Sequence, residues 1–303
     1  MKTGDEHFTI YQGNALEVNY YKTKKKHVFV FDLDETIGSF AELYHLFQCI
    51  QYIQEQQKRP LYGSVRTLLF SLLDEYPEFF RYGIEILFQY LNEKKKKGNQ
   101  DVQIYIYTNN HCLPTSWTSH IIAYIEAKWK VPKLFDNILC AFKVKGKIVE
   151  CRRTTNDKTY NDLIQCIRLG SNTELCFIDN VYFPKMKQRM VYYLRPKPYY
   201  HYVHRKTIIE RFLLSKLGTS IVTLLDITKD NLQDQVFSYY AKHHLPMNEY
   251  YKSEKEMEID LNVSKKLLYH CRLFFHIHMK QSTTRKYKRT KGAKATKKKR
   301  PSI

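Results

Sequence analysis

The sequence predicts an α/β protein built on a parallel sheet with helices on both faces, and three observations lead there. Residues 28–31, 104–107 and 175–178 are short runs of β-branched, aromatic and aliphatic side chains. Strands covered on both faces of a parallel sheet have this continuous apolar form. Each run ends in a polar residue, Asp32, Thr108 and Asp179 respectively. The segments between them carry helical periodicity and are long enough for the crossovers that parallel strands require. With 303 residues, 43% of them hydrophobic, the chain can bury a sizeable core.

Residues 1–24 read as an N-terminal extension and 25–217 as the sheet domain. The stretch from Asp32 to Thr108 is far longer than one crossover helix needs. Within it Leu43, Leu46, Phe47, Ile50 and Ile53 fall on one helix face, and residues 64–73 and 84–91 repeat the pattern. A helical cap is therefore expected as an insertion over about residues 40–80. Lys94 to Lys97 before Gly98 mark a helix end, where positive charge suits the helix dipole and glycine tolerates a left-handed cap. Residues 191–194 form another expected strand, followed by a loop with Tyr199, Tyr200 and Tyr202 and a helix near 206–217. Residues 218–279 read as a further, mostly helical C-terminal region. There Ser253 and Glu256 have capping-box spacing, and Leu267, Leu268, Phe274 and Phe275 supply apolar surface.

The formal charge is +20, but residues 280–303 hold 11 Lys or Arg and no acid, leaving +9 on residues 1–279. That end reads as a solvated basic tail. It could serve as a nuclear import signal or as a salt-dependent anchor for nucleic acid without sequence specificity. Seven scattered cysteines with no C-x-x-C pair fit a reducing compartment. The first ten residues lack a signal-peptide core. No window reaches roughly 18 uninterrupted apolar residues; the best, 267–277, is broken by His270, Arg272 and His276. A cytoplasmic or nuclear protein without a membrane span is expected.

The chemistry concentrates at the three strand ends. Asp32 and Asp34, two residues apart, point to the same side if strand geometry continues, and two unpaired carboxylates repel. A hard cation resolves the conflict, and Mg²⁺ is the usual choice where carboxylates share an ion with substrate phosphate. Thr108 with Asn109 and Asn110 offers a hydroxyl and amides suited to phosphate oxygens. Asp179 with Asn180 offers a further carboxylate and an amide for the same ion. Each of these alone reads as a turn or helix cap; all three in chain order, at the edge where open α/β sheets bind ligands, carry more weight. His111, His243 with His244, and His276 with His278 lack a further partner at metal spacing.

Together these residues resemble the haloacid dehalogenase superfamily of phosphatases over about residues 25–215. The resemblance implies a Rossmann-like parallel sheet with a cap, Asp32 as nucleophile and Asp34 as general acid and base. It implies phosphate binding by Thr108, Asn109 and a lysine. Lys158, ahead of a helix start, matches that lysine best, with Arg152 and Arg153 as competitors. Mg²⁺ would be held by Asp32, Asp34 through its backbone carbonyl, Asp179 and Asn180, and Gly38 would permit the tight turn after the first motif. The Asp32-Leu33-Asp34-Glu35-Thr36 string, Asp179-Asn180, and Arg81 with Gly83 resemble the NLI-interacting-factor-like group within that superfamily. This group includes phosphatases of the RNA polymerase II carboxy-terminal domain, so a phosphoserine or phosphothreonine protein is the substrate it implies. Tyr82 stands where the group usually has Pro, Val181 where Ser-Pro often follows, and the insertion is helical rather than β-rich. A phosphatase of polynucleotide ends, favoured by the basic charge, and an inactive phosphatase-like binding module remain alternatives. The Lys-, Tyr- and Asn-rich composition points to a divergent member from a large DNA virus or an AT-rich genome.

Overall fold

The computed structural model describes residues 2–12, 16–18, 26–59, 62–97, 102–112, 116–170, 174–245 and 252–279. The chain opens with β1 (Lys2–Gly4), β2 (Phe8–Gln12), β3 (Leu16–Val18) and β4 (His27–Phe31). Helices α1 (Ala41–Gln56), α2 (Val65–Glu75) and α3 (Ile84–Lys96) lead to β5 (Val102–Tyr107). Next come α4 (Trp117–Lys128), β6 (Asn137–Leu139), a small hairpin of β7 (Lys143–Val144) and β8 (Lys147–Ile148), and α5 (Tyr160–Ile167). Strands β9 (Leu175–Ile178) and β10 (Val191–Pro196) precede α6 (Arg205–Leu214), α7 (Lys216–Leu225), α8 (Lys229–Lys242), α9 (Glu254–Phe274) and β11 (Ile277–Met279). The fold is mixed α/β around a seven-stranded, mostly parallel sheet of order β1-β2-β10-β9-β4-β5-β6. The five strands from β10 to β6 run parallel, while β2 pairs antiparallel with β10 and β1 with β2.

Strand periodicity divides the core in two. Val28, Val30, Tyr105, Tyr107, Leu175, Phe177, Val191 and Tyr193 join one apolar cluster with Leu163, Ile164 and Ile167 of α5. Their neighbours Phe29, Phe31, Ile104, Ile106, Cys176, Ile178, Tyr192 and Leu194 join the other, with α3, α4 and α9. Successive side chains of a strand point to opposite faces, so an unbroken apolar run is what a sheet sandwiched between helix layers needs.

The expected stripe of the insertion is buried throughout: Leu43, Leu46, Phe47, Ile50 and Ile53 lie on the inner face of α1. Ser64 caps α2 by accepting from the Thr67 N–H. Residues 84–91 belong to α3, which packs on β5 instead of joining the cap. That helix ends at Lys96 on a right-handed Lys97, and Gly98 lies outside the described residues.

Three boundaries differ from the sequence reading. Residues 2–12 are not outside the domain: β2 extends the sheet through pairs such as Tyr11 with Tyr193, burying Phe8, Ile10 and Tyr11. The helix expected near 206–217 is broken at Ser215, whose extended backbone ends α6 and whose hydroxyl caps α7 by accepting from the Gly218 N–H. A side chain at Gly218 would place its Cβ 2.2 Å from the Phe212 carbonyl oxygen, so glycine is required for this tight corner. Residues 218–279 divide between two surfaces. Helix α8 packs on α1 and α6, while α9, started by the expected Ser253–Glu256 capping box, packs on β10 and α3. The basic tail lies outside the described residues; among the described residues no helix is long and apolar enough to cross a membrane.

Candidate active site

The backbone ladder continues one residue past each strand and thereby aligns the three predicted strand ends. Asp32 follows β4 and donates its N–H to Ile178 of β9; Asp179 follows β9 and donates to Leu194 of β10. Thr108 follows β5 and donates to Leu139 of β6. With Phe31 in register with both Ile106 and Ile178, these residues share the carboxyl edge of the sheet.

Lys158 joins them from a loop capped into α5. Thr159 is the cap residue, its hydroxyl accepting from the Asp162 N–H, and this fixes the preceding Lys158 against the sheet edge. The Lys158 ammonium donates to Asp32 Oδ1 and, at 2.8 Å, to Asp179 Oδ2. The rings of Tyr107 and Phe183 flank it at 5.6 and 5.4 Å. Burial works against its charge, yet Asp32 and Asp179 outweigh that penalty and raise its pKa, so the lysine stays protonated. The competitors resolve differently. Arg152 is exposed, whereas Arg153 is buried and donates to the carbonyls of Thr108, Cys140, Asn156 and Asp157 and to Asn109 Oδ1. Arg153 thus ties the Thr108 loop to the Lys158 loop and has no contact with Asp32 or Asp179 among its hydrogen bonds.

The turn after Asp32 is held by a second buried arginine. Glu35 adopts a left-handed backbone (φ 57°), which costs a non-glycine residue roughly 1 kcal/mol. Its carbonyl accepts from Arg81 Nη2 at 2.7 Å and from the Tyr199 N–H at 2.8 Å, and Arg81 also donates to the carbonyls of Thr36 and Lys197. Gly38 was expected to provide the turn's unusual dihedral; the left-handed residue is Glu35. Gly38 is needed for space, since a Cβ there would lie 2.6 Å from the Phe79 carbonyl oxygen and 2.3 Å from the Phe40 ring. The Thr36 hydroxyl donates to Asn180 Oδ1 at 2.9 Å and accepts from the Asn180 N–H, locking the first and last motifs together. Asn180 Nδ2 donates to Glu35 Oε2. The Asn180 side chain is therefore bound into the Glu35–Thr36 turn through both its amide oxygen and its amide nitrogen.

Asp34 faces Asn110, whose Nδ2 donates to it at 2.6 Å. The neighbouring Asn109, expected at the phosphate, is exposed and engages Arg153 with its amide oxygen. Asp34 lines a cavity of about 680 Å³. It is solvent-exposed, yet the surrounding walls desolvate it, and together with the Asp32 charge this pushes its carboxyl up to about 6 against the opposing Asn110 hydrogen bond and Lys158 charge. Asp32, 8% exposed, lies behind it and is not part of the cavity wall.

The raised pKa has a testable sign. The folded chain holds this proton more tightly than the unfolded one, so Asp34 favours folding at low pH and loses that contribution as pH rises through about 6. In cation-free protein, carboxyl-carbon NMR should find Asp34 titrating near 6. Asp32→Asn should move it down and Asn110→Ala up. An unaltered titration in both variants would show that neither neighbour controls this carboxyl.

Among the described residues no three His, Cys, Asp or Glu side chains form a ready-made metal cage. The donor chemistry nevertheless fits a hard cation. Asp32 and Asp179 share the Lys158 ammonium, all their donor atoms being oxygen, and Asp179 is held above the usual carboxylate range by burial and by Asp32 despite Lys158. Mg²⁺ commonly takes one or two carboxylates and completes its sphere with water and phosphate.

Beyond the expected set, Arg81, Arg153, Thr36 and Asn110 shape the site. Each had a signal in sequence, Arg81 and Thr36 within the motifs that carry the resemblance, Arg153 as a competitor of Lys158 and Asn110 beside Asn109, but none pointed to the positioning role it has here. No protein-family model matches the chain, and no curated protein matches it.

Proposed function

We propose that the protein is a phosphomonoester hydrolase of the haloacid dehalogenase type, acting through a phosphorylated Asp32. The observation that carries this reading is the single Lys158 ammonium bonded to both Asp32 and Asp179, beside an Asp34 carboxyl whose pKa is about 6. A nucleophile, its counter-ion and a general acid near neutral pH occupy one sheet edge.

In the first step an Asp32 carboxylate oxygen bonds to phosphorus while the bond to the leaving oxygen breaks, and Asp34 gives its proton to that oxygen. In the second, water bonds to phosphorus and the Asp32–phosphorus bond breaks, with the water proton passing to Asp34. Lys158 neutralises charge on Asp32 and on the transferred phosphoryl oxygens, and Thr108 and Asn110 orient the group. Asp32, Asp179 and the Asp34 carbonyl would hold Mg²⁺, which when bound screens the phosphate charge from the nucleophile. Arg81 and Arg153 act as positioning residues for the two loops that carry Asp34 and Thr108.

The test is inorganic phosphate release from a small aryl phosphate by purified protein, with Mg²⁺ and with excess chelator. Turnover that requires the cation is expected; none under either condition would remove the hydrolase reading and favour a phosphate-binding module.

A further inference from the structure

The cavity beside Asp34 has walls from five segments: the Asp34–Glu35 turn, the start of α1 with the residues just before it, Asn110 with His111, the start of α4, and residues 200–205. Its volume of about 680 Å³ lies in the range of small-molecule pockets, roughly 300–1,000 Å³. Two features of the lining restrict what fits.

The first is flat apolar surface. Tyr44 from α1 and Trp117 from α4 meet edge to face with centroids 5.1 Å apart, and Tyr200 forms part of the lining with its hydroxyl donated to Glu35. The second is charge. Asp34, Glu35 and Glu42 line the cavity, and the one arginine there, Arg205, forms a two-pronged pair with Glu42. Ser39, Asn110, Thr118 and the imidazoles of His111, His201 and His204 make up the rest of the polar lining, and burial lowers the pKa of His201 to about 4, leaving it neutral. Among the described residues that line the cavity there is no lysine. A second phosphate, a nucleic-acid backbone or an acidic peptide would meet carboxylates, while a flat neutral ring would meet aromatic faces.

We infer that this cavity selects phosphomonoesters whose leaving group carries a flat ring and no further anionic charge. The inference rests on the phosphatase reading for the placement of the ester at Asp32, and it departs from the phosphoserine or phosphothreonine protein that the family resemblance implies. Simple aryl phosphates and nucleoside monophosphates share this chemistry.

The experiment uses full-length protein with Mg²⁺ and two readouts, phosphate release and the fluorescence of Trp117, assigned by its loss in Trp117→Phe. Phenyl phosphate, adenosine 5′-monophosphate, glycerol 2-phosphate, a phosphoserine peptide and a 5′-phosphorylated oligonucleotide are compared. Ring-bearing small esters should exceed glycerol 2-phosphate in kcat/KM by about tenfold or more, the scale of one good stacking contact, and Tyr44→Ala should narrow that gap. Whichever of phenyl phosphate and the nucleotide is faster identifies the source of the ring. Equal rates for glycerol 2-phosphate, or preference for the peptide or the oligonucleotide, would overturn the inference while leaving the phosphatase reading intact. Ring-dependent fluorescence change without phosphate release would support the pocket and remove the phosphatase; neither signal with any compound would remove both.

Discussion

On the proposed reaction, Asp32→Asn is expected to lower phosphate release by at least about 10⁴-fold, the scale seen when a nucleophile is removed from a unit that acts together, and to leave the fold standing. Activity should fall because the amide could not form the proposed phosphorylated intermediate. The fold survives because of how the charges are shared. Removing one partner of a buried ion pair usually costs about 3–5 kcal/mol, since the other charge is left buried alone. Here Lys158 keeps its bond to Asp179, so no charge is orphaned, and the repulsion that Asp32 exerts on Asp34 and Asp179 disappears. The thermal midpoint should therefore stay within a few degrees of wild type, measured by calorimetry beside the phosphate assay. Wild-type turnover in the variant would refute the nucleophile assignment; a collapsed midpoint would refute the account of the charges.

Lys158→Met produces the opposite pattern of stability. Two buried carboxylates, Asp32 and Asp179, then face each other with no counter-ion, and the penalty of about 3–5 kcal/mol applies in full. At about 2–4 °C per kcal/mol the melting temperature should fall by roughly 10 °C. Turnover should also fall, by about 10²–10³-fold, the scale of losing one charge-stabilising donor. Two linked effects separate this cause from simple misfolding. The deficit should shrink as pH falls, because the orphaned carboxyls acquire raised folded-state pKa values and take up protons. Millimolar Mg²⁺ should raise the melting temperature of the variant more than that of wild type, since the ion replaces the missing positive charge. An identical Mg²⁺ shift in both proteins would mean that the cation does not sit between these two carboxylates.

The strands were readable because burial on both faces leaves a strong local mark. A run such as Val28, Phe29, Val30, Phe31 has nowhere to go except a sheet covered by helices, and the abrupt change to Asp32 marks its carboxyl end. The insertion was readable for a similar reason, as the spacing of Leu43, Phe47 and Ile50 describes one helix face wherever the helix packs. Strands β1 and β2 were not: β1 is three exposed residues at the edge of the sheet, and β2 takes its place by pairing with β10, nearly two hundred residues away. The C-terminal region showed its helices but not their targets, since α8 and α9 find different partners only in three dimensions.

The site divides along the same line. The identities and order of Asp32, Asp34, Thr108, Lys158 and Asp179 are local facts, each tied to a strand end or a helix start. Which polar neighbours serve them is not. Asn110 and not Asn109 reaches Asp34, and Arg153 and not Arg152 turns inward, because one-residue differences at a loop are decided by the direction of the backbone. The same holds for the cavity. Its walls come from segments near residues 34, 40, 110, 117 and 200, and side chains so distant in the chain can form one aromatic, acidic surface only after the sheet has set the helices in place.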